Sequence, residues 1–325
     1  MNNAMTRRQA LAGAAAAAGL AAAGAPARAA GWAPNRPVEM VIMAGQGGGA
    51  DRLARFFQTL IQQHNLSPMP MLPVNKGGGS GAEALRYLKD QEGNPHVIMA
   101  TLNSLYTTPL QTDIGVDITE FTPLARMAVD TFALWVRTDS GIETLDDYIE
   151  AVKAADGSWR MGGTGSGQED SLVTAILEQA FGIRHNYIPM GGGGDVARNL
   201  VGGHIESTVN NPSEALSFER AGRVRAIAAF TEERISVLPD TPTFTELGYP
   251  LLYDMQRSFI GPANMPAEAV AWYQEMFTAL SQTPEWVAYA EENALVTDLL
   301  MGDDLMAYFV SERERHAELL SAMEA

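Results

Sequence analysis

The stretch GQGGGAD (Gly45 to Asp51) follows an apolar run and precedes an amphipathic segment, and similar glycine-rich turns recur along the chain. They are GGGSGAE (Gly77 to Glu83), GGTGSGQED (Gly162 to Asp170) and GGGGD (Gly191 to Asp195). A helix N-terminus leaves backbone N–H groups unpaired and carries roughly half a positive charge. Several such turns converging on one cleft therefore predict a binding site for a small anion such as a carboxylate.

Strand-like and helical segments alternate on either side of these turns, which is typical of α/β sheets built from parallel strands. The run Val38 to Ala44 is mostly apolar, and Leu53, Phe57 and Leu60 after it have helical spacing. The same unit recurs after Phe132 to Arg137, a run able to cross between lobes. A later run, Arg257 to Pro262, can return the chain to the first lobe. We predict two α/β lobes joined by two crossover strands, with the ligand cleft at the carboxyl ends of the strands.

The N-terminus has the features of a twin-arginine export signal. Arg7 and Arg8 precede a weakly hydrophobic Ala/Gly run, and small residues surround Arg28. An ordinary secretory signal and a transmembrane anchor are the alternatives, but an anchor needs about 20 strongly apolar residues. We expect cleavage near Ala29 and a periplasmic product. The predicted segments are 1–29 for the signal peptide, 30–130 with 253–325 for lobe 1, and 131–252 for lobe 2.

Charge and composition exclude several classes of function. The formal net charge is −17, which argues against nucleic acid or an anionic membrane as partner. An anionic ligand stays compatible with this charge, because donors at short range outweigh screened surface charge. The chain contains no cysteine, so disulfides, thiolate nucleophiles and cysteine-based metal sites are ruled out. The five histidines lack metal-binding spacings, and we predict neither a metal nor a cofactor.

Two enzymatic alternatives use the same turns. Gly45 to Ala50 satisfies the GxGxxA dinucleotide pattern, but no acid follows at the ribose-binding distance before Glu83. Gly78 to Ala82 approaches the GxSxG nucleophile elbow, although alanine replaces the last glycine. An exported hydrolase using Ser80 or Ser166 therefore stays open as an alternative to a binding protein, as does a structural or adaptor protein.

The chain resembles the Bug family of solute-binding proteins of tripartite tricarboxylate transporters over nearly the whole mature sequence. The motifs that carry the resemblance are RPV (36–38) before GGGAD, PVN (73–75) before GGGSGAEAL, FTPLA (121–125), ETLDD (143–147), LVGGHI (200–205), GRVRAIA (222–228) and LPDTPTFTELG (238–248). The resemblance implies a type II periplasmic binding protein fold, without catalysis, that captures a carboxylate and delivers it to a membrane permease. It also implies a monomer, and GGGGD in place of a lysine-bearing turn indicates the citrate-binding branch.

The family pattern and the donor chemistry of the turns together predict the ligand-binding residues. Glycines allow close approach of a ligand to backbone N–H groups, and the polar side chains add donors that fix its orientation. The Gly45-Gln46 pair departs from relatives that carry prolines there. The predicted residues are Gln46, Gly47, Gly48, Asn75, Ser80, Thr101, Asn103, Thr164, Gly165, Ser166, Gln168, Gly192, Gly193, Asn210 and Asn211.

Overall fold

The computed structural model describes residues 31–324. The predicted export signal, residues 1–29, lies outside this range, as does residue 325. In the part of the chain that is described, no helix is both long enough and apolar enough to cross a membrane.

Strands and helices alternate along most of the described chain. The strands are β1 (Val38–Ile42), β2 (Met71–Asn75), β3 (Val97–Thr101), β4 (Thr122–Thr131), β5 (Ala133–Arg137), β6 (Arg160–Gly163), β7 (Asn186–Pro189), β8 (Ser207–Asn210), β9 (Val224–Ala229) and β10 (Asp254–Gly261). The α-helices are α1 (Gly49–Gln63), α2 (Ala82–Lys89), α3 (Ser104–Gln111), α4 (Leu145–Ala154), α5 (Glu169–Phe181), α6 (Gly193–Val201), α7 (Pro212–Arg220), α8 (Ala267–Ser281), α9 (Pro284–Glu292) and α10 (Gly302–Glu324).

The strands form two five-stranded sheets of the same design. The first has the order β2-β1-β3-β10-β4 and the second the order β7-β6-β8-β5-β9. We call the half of the molecule that contains the first sheet lobe 1 and the other half lobe 2. The predicted architecture, two α/β lobes joined by two crossings of the chain, is confirmed. The residue bounds predicted for the lobes stay a prediction.

Each sheet is mixed, whereas the sequence indicated parallel strands. Four strands of each sheet run in the same direction, and one strand is reversed: β10 is antiparallel to its neighbours β3 and β4, and β5 is antiparallel to its neighbours β8 and β9. The reason is that β5 and β10 each arrive from the other lobe and enter their sheet from the opposite end. The first crossing takes place at Phe132, between β4 and β5, and the second lies between β9 and β10. Strand β4 itself has no equivalent among the predicted strands.

The core of lobe 1 is built on β10, which lies between β3 and β4. Phe259 on this strand is fully buried and contacts Phe57 of α1 and Phe277 of α8, with ring centroids 5.6 and 4.7 Å apart. The helical stripe predicted for α1 is buried at Leu53, Phe57 and Leu60. The strand that returns from lobe 2 therefore supplies a central part of the packing of lobe 1.

We expect Phe259→Ala to lower the free energy of unfolding by about 3–5 kcal/mol, because it removes a buried aromatic ring and leaves a cavity. Denaturant unfolding followed by circular dichroism measures the change. Leu72→Ala is the control, since Leu72 is 45% exposed on β2 and its loss should cost little. Equal decreases in the free energy of unfolding for the two variants would contradict a structural role for β10 in the core.

Candidate ligand-binding cleft

The loops that follow the parallel strands of both sheets meet between the lobes. Each loop leads from the carboxyl end of a strand into a helix, where open α/β sheets bind ligands. They enclose a cavity of about 40 Å³, which we call the interlobe cavity. Its lining consists of Ala44, Gly45, Gly48, Gly49, Ala50, Gly77 and Leu102, then Thr164, Gln168, Glu169, Asp170, Gly191, Gly192, Gly193, Asn211 and Glu214, and finally Met255 and Arg257 of β10.

Main chain touches main chain where the lobes meet. A Cβ atom on Gly45 would lie 1.9 Å from the carbonyl oxygen of Gly191, and one on Gly194 would lie 2.6 Å from the carbonyl oxygen of Gly47. Real Cβ atoms do not approach other atoms so closely. The glycines are therefore required for the lobes to close as they do here.

Six of the predicted ligand-binding residues line the interlobe cavity. They are Gly48, Thr164, Gln168, Gly192, Gly193 and Asn211. The other predicted residues lie around it without lining it: Gln46, Gly47, Asn75, Ser80, Thr101, Asn103, Gly165, Ser166 and Asn210. Their assignment to ligand binding stays a prediction, but the structure shows how several of them are already used.

Several predicted donors are bonded to side chains of their own loop. The Gly47 N–H donates to Asp51 (2.9 Å), and the Thr164 N–H donates to Asp170 (2.8 Å). The Gly165 N–H donates to Gln168 Oε1 (2.7 Å). These bonds hold the turns in shape and leave the three N–H groups unavailable to a ligand in this conformation.

Carboxylates of lobe 2 occupy the N-termini of two helices of lobe 1. Glu214 Oε1 accepts a hydrogen bond from the Gly49 N–H at the start of α1 (2.6 Å). Glu169 Oε1 accepts from the Ser104 N–H at the start of α3 (2.7 Å). The N-terminus of a helix favours an anion. Here the anionic groups are Glu214 and Glu169, which reach across the cleft from lobe 2.

A buried ion pair lies at the floor of the cleft, where the first crossing and β10 meet. Arg257 donates through Nε to Asp130 Oδ2 (3.0 Å), and its Nη2 also contacts that carboxylate; both side chains are at least 97% buried. The same Nη2 donates to Asn211 Oδ1 of lobe 2 (3.2 Å), and Asn211 Nδ2 donates to the Thr131 carbonyl (2.7 Å). Arg257 therefore ties β10 both to β4 and to lobe 2.

Donors without a partner remain at the cavity. Within residues 31–324, no hydrogen bond is made by Arg257 Nη1 or by the backbone N–H groups of Gly48, Gly192 and Gly193. These groups come from both lobes. An arginine and several helix-start amides facing one space are suited to a carboxylate.

Burial changes the acidity of the carboxyl groups around the cavity. It raises the pKa of Glu214 to about 7, against the opposing attraction of Arg257 and the Gly49 N–H. It also raises the pKa of Asp170 far above its ordinary range, and the neighbouring Glu214 raises it further. The pKa of Glu169 is raised by burial although Ser104 donates to it. Burial therefore favours the protonated forms of these groups unless a positive charge lies close to them.

A larger groove, of about 700 Å³, lies elsewhere on the molecule, beside the two crossings. Thr131, Phe230, Tyr253, Leu295 and Val296 are among its lining residues. None of the glycine turns and none of the predicted ligand-binding residues reach this groove. The interlobe cavity is the candidate ligand-binding site, because helix starts of both lobes and Arg257 line it.

Sequence reasoning missed the acidic lining of the cavity. Glu169 and Asp170 belong to a predicted turn but were not predicted as site residues, and Glu214 follows the predicted Asn210-Asn211-Pro212 segment. Arg257 begins the predicted strand of residues 257–262 but was not among the predicted ligand-binding residues. Asp51 and Asp170 each lie in the first turn of the helix that follows a glycine turn, and this shared position could have indicated that each turn bonds to its own aspartate.

The two serines considered as nucleophiles hold the lobes together. Ser80 Oγ donates to the carbonyl oxygen of Ser166 (2.8 Å), which joins the lobes at the rim of the cleft. In the described chain, no histidine is hydrogen-bonded to either serine, and no group of acids and histidines is placed to hold a metal ion. Two histidines, His185 and His316, are buried and bond to tyrosines.

Two α/β lobes that close on a donor-lined cavity define a two-lobed ligand-binding protein. Residues 69–324 match the family model described as "Tripartite tricarboxylate transporter family receptor", and the chain belongs to this family. The resemblance to the Bug family found in the sequence is thereby confirmed. Membership of the citrate-binding branch stays a prediction.

Known relatives and structures are similar over most of their length. A Cupriavidus necator protein, "UPF0065 protein in gbd 5'region", is 27% identical over 280 residues, which cover 86% of this chain and 84% of the relative. The structure of the periplasmic binding protein BugD has a TM-score of 0.84 at 21% identity, covering 90% of this chain and 98% of BugD. The structure "R. palustris Rpa4515 with adipate" has the same TM-score at 22% identity, with coverage of 90% and 98%.

We expect Gly45→Ala to keep the lobes apart, because its methyl group would collide with the Gly191 carbonyl. Small-angle X-ray scattering should show a larger radius of gyration than for the unmodified protein. Gly191→Ala is the matched control from the opposite loop, since its Cβ would lie at an ordinary 3.6 Å from Asp195. If both variants have the same radius of gyration as the parent protein, Gly45 is not sterically required for closure of the lobes.

We expect Glu214→Gln to reduce the pH dependence of stability between pH 4.5 and about 7. Burial raises the pKa of Glu214 in the folded protein from 4.5 to about 7, so the folded chain holds a proton that the unfolded chain releases. The stabilisation is complete below the unfolded pKa and is lost as pH rises through the folded value, by up to about 3 kcal/mol.

Chemical denaturation at a series of pH values measures the slope of the free energy of unfolding against pH. Glu219→Gln, on the same helix but outside the cavity, should leave the slope unchanged. An identical slope for Glu214→Gln and the parent protein would show that Glu214 is not held in a proton-binding environment.

Proposed function

We propose that this protein is a periplasmic receptor that captures a small organic acid between its lobes and delivers it to the permease of a tripartite tricarboxylate transporter. The observation that carries the proposal is the interlobe cavity, which both lobes line with unpartnered donors. Family membership and the adipate described for the R. palustris structure support a carboxylate ligand.

Binding would proceed by opening and closing of the lobes. The cavity of about 40 Å³ has room for a few water molecules but not for a small organic acid. A ligand therefore enters when the lobes separate, and the crossings at Phe132 and between β9 and β10 provide the hinge. The ligand then favours closure to the extent that it binds the closed form better than the open form.

Around a bound ligand the lobes would lie slightly further apart than in this structure, and Arg257 Nη1 would donate to one carboxylate of the ligand. The N–H groups of Gly48, Gly192 and Gly193 would donate to the same carboxylate from opposite sides of the cleft. Because these groups lie in both lobes, the ligand contributes to holding the lobes together. Asn211 and Asp130 fix the guanidinium in place through its other nitrogens.

Export and delivery belong to the same proposal. The twin-arginine motif at Arg7 and Arg8 and the cleavage site near Ala29 would bring the protein to the periplasm. There the closed form, as a monomer, would dock on the permease subunits. Closure changes the relative position of the lobes, which gives the permease a way to distinguish the loaded receptor from the empty one.

We expect carboxylates that bind to raise the melting temperature in proportion to the logarithm of their excess over Kd; a hundredfold excess is worth about 2.7 kcal/mol. The double variant Asp130→Asn/Arg257→Gln should bind at least tenfold more weakly. It removes the guanidinium without leaving an unpaired buried charge. Thermal shift and isothermal titration calorimetry with a carboxylate panel measure both effects.

Arg160→Gln/Glu206→Gln is the matched control, because it removes a more exposed ion pair of the same charge from lobe 2. The receptor proposal fails if no carboxylate in the panel, and no small molecule released from the native protein, stabilises it. It also fails if an ester is consumed and Ser80→Ala abolishes the loss, since that result would favour the hydrolase.

A further inference from the structure

The groove of about 700 Å³ beside the two crossings exposes apolar side chains to water. We call it the hinge groove. Residues 231–236 form one of its walls, and Ala290, Ala294 and Val296 belong to the opposite wall. Leu252 and Val296, which also line it, are 43% and 57% exposed. Apolar surface of this kind in a soluble protein calls for a physical explanation.

The hinge groove and the interlobe cavity lie on opposite faces of the strands at the crossings. Thr131 of β4 lines the groove, whereas Asp130 beside it pairs with Arg257 of the cavity lining. On β10, Asp254 lines the groove and Met255 lines the cavity. The register agrees, since Asp254 is the partner of Thr131 and Met255 that of Asp130. Successive side chains of a strand point to opposite faces, so the crossings separate the two spaces.

The two walls of the hinge groove belong to different lobes. Ile235, in residues 231–236, is part of the hydrophobic core of lobe 2. Val296 exchanges two backbone hydrogen bonds with Val129 of β4 (2.8 and 2.9 Å), which attaches it to the sheet of lobe 1. Ala294, next to this segment, packs against the core cluster that contains Ile235. The walls therefore already touch at Ala294, and the groove remains open around this contact.

A rotation of the lobes about the crossings changes the two spaces in opposite directions. When the cleft opens on one face, the walls on the other face approach each other. Leu252 and Val296 then lose contact with water, and burial of apolar surface is favourable. Acids on the two rims, such as Glu232 and Glu291, are exposed, so salt screens their repulsion.

We propose that the hinge groove narrows as the cleft opens, and that contact between its apolar walls stabilises the open form. This inference rests on the opening and closing proposed above for ligand capture, and it adds a contact that sets the balance between the two forms. The groove then controls ligand affinity without touching the ligand, because a ligand that binds the closed form must overcome the stability of the open form.

The reactivity of a cysteine placed in the hinge groove tests whether its walls approach each other. The chain contains no cysteine, so Val296→Cys introduces its one thiol. We expect this thiol to react with a maleimide at least threefold more slowly in the Gly45→Ala background, where the lobes are held apart, than in the otherwise unmodified protein. Rates measured below and above the ordinary thiol pKa of about 8.5 separate a change in exposure from a change in acidity.

Val287→Cys is the matched control for the thiol experiment. Val287 is 47% exposed on α9 and does not line the hinge groove. Its thiol should react at the same rate in both backgrounds. Small-angle X-ray scattering of the same samples verifies that Gly45→Ala has separated the lobes.

A charge in the hinge groove tests whether the apolar contact stabilises the open form. Val296→Asp leaves the new carboxylate in water when the cleft is closed and buries it against the opposite wall when the cleft is open. The open form is thereby destabilised. We expect every carboxylate that binds in the panel described above to bind at least threefold more tightly to this variant, measured by isothermal titration calorimetry. Val287→Asp should leave the affinity unchanged.

The outcomes separate this inference from the receptor proposal. If Gly45→Ala separates the lobes but Val296→Cys reacts equally fast in both backgrounds, the inference is overturned and the receptor proposal stands. Unchanged or weaker affinity in Val296→Asp has the same meaning. If neither Gly45→Ala nor the bulkier Gly45→Phe separates the lobes, the chain does not bend at the crossings, and the inference is overturned together with the hinge mechanism. If no small molecule binds, the receptor proposal fails, while the thiol rates still decide the movement of the groove.

Discussion

The contact between the glycine loops of the two lobes is the constraint on which the rest of the cleft depends. At Gly45 and Gly194 the main chains of the two lobes are closer than any side chain would allow. This approach brings the start of α1 within hydrogen-bonding distance of Glu214 and the start of α3 within reach of Glu169. Bulkier residues in the loops would separate the lobes and leave both helix starts facing water.

The polar groups of the cleft form two sets: those that are hydrogen-bonded within the protein and those that have no partner there. Asp51 and Asp170 bond to N–H groups of their own turns, and Glu169 and Glu214 bond to the opposite lobe. Buried polar groups are usually satisfied, because an unmade hydrogen bond in a dry site costs about 1–3 kcal/mol. In the cavity, Arg257 Nη1 and the N–H groups of Gly48, Gly192 and Gly193 have no partner within the described residues, so these are the cavity groups to which a bound molecule would contribute most.

Much of the fold could be predicted from local patterns, because each strand, turn and helix is specified by neighbouring residues. The loop positions followed from the rule that the carboxyl ends of parallel strands share one edge. Strand β4 was missed, since its run contains Pro123, Arg126 and Asp130 and lacks a clear apolar pattern. It is a strand because it pairs along its length with β10, which lies more than a hundred residues away.

The chemistry of the site was less predictable than its location. Which N–H groups stay free depends on side chains that arrive from elsewhere, and no local pattern shows that Glu214 reaches Gly49 across 165 positions. Asp130 and Arg257 are likewise joined only by the tertiary fold. Composition alone also could not show that three acids of an acidic protein, Glu169, Asp170 and Glu214, would be buried in the lining of its cleft.

The position of β10 has a consequence for how the molecule is assembled during synthesis. The strands of the second sheet, β5 to β9, are contiguous along the chain, so the ribosome releases all of them before β10 exists. In the first sheet, β4 has β10 as its neighbour and must wait for it. The middle of the polypeptide can thus complete its sheet first, while the earliest-made half stays unfinished until the tail emerges.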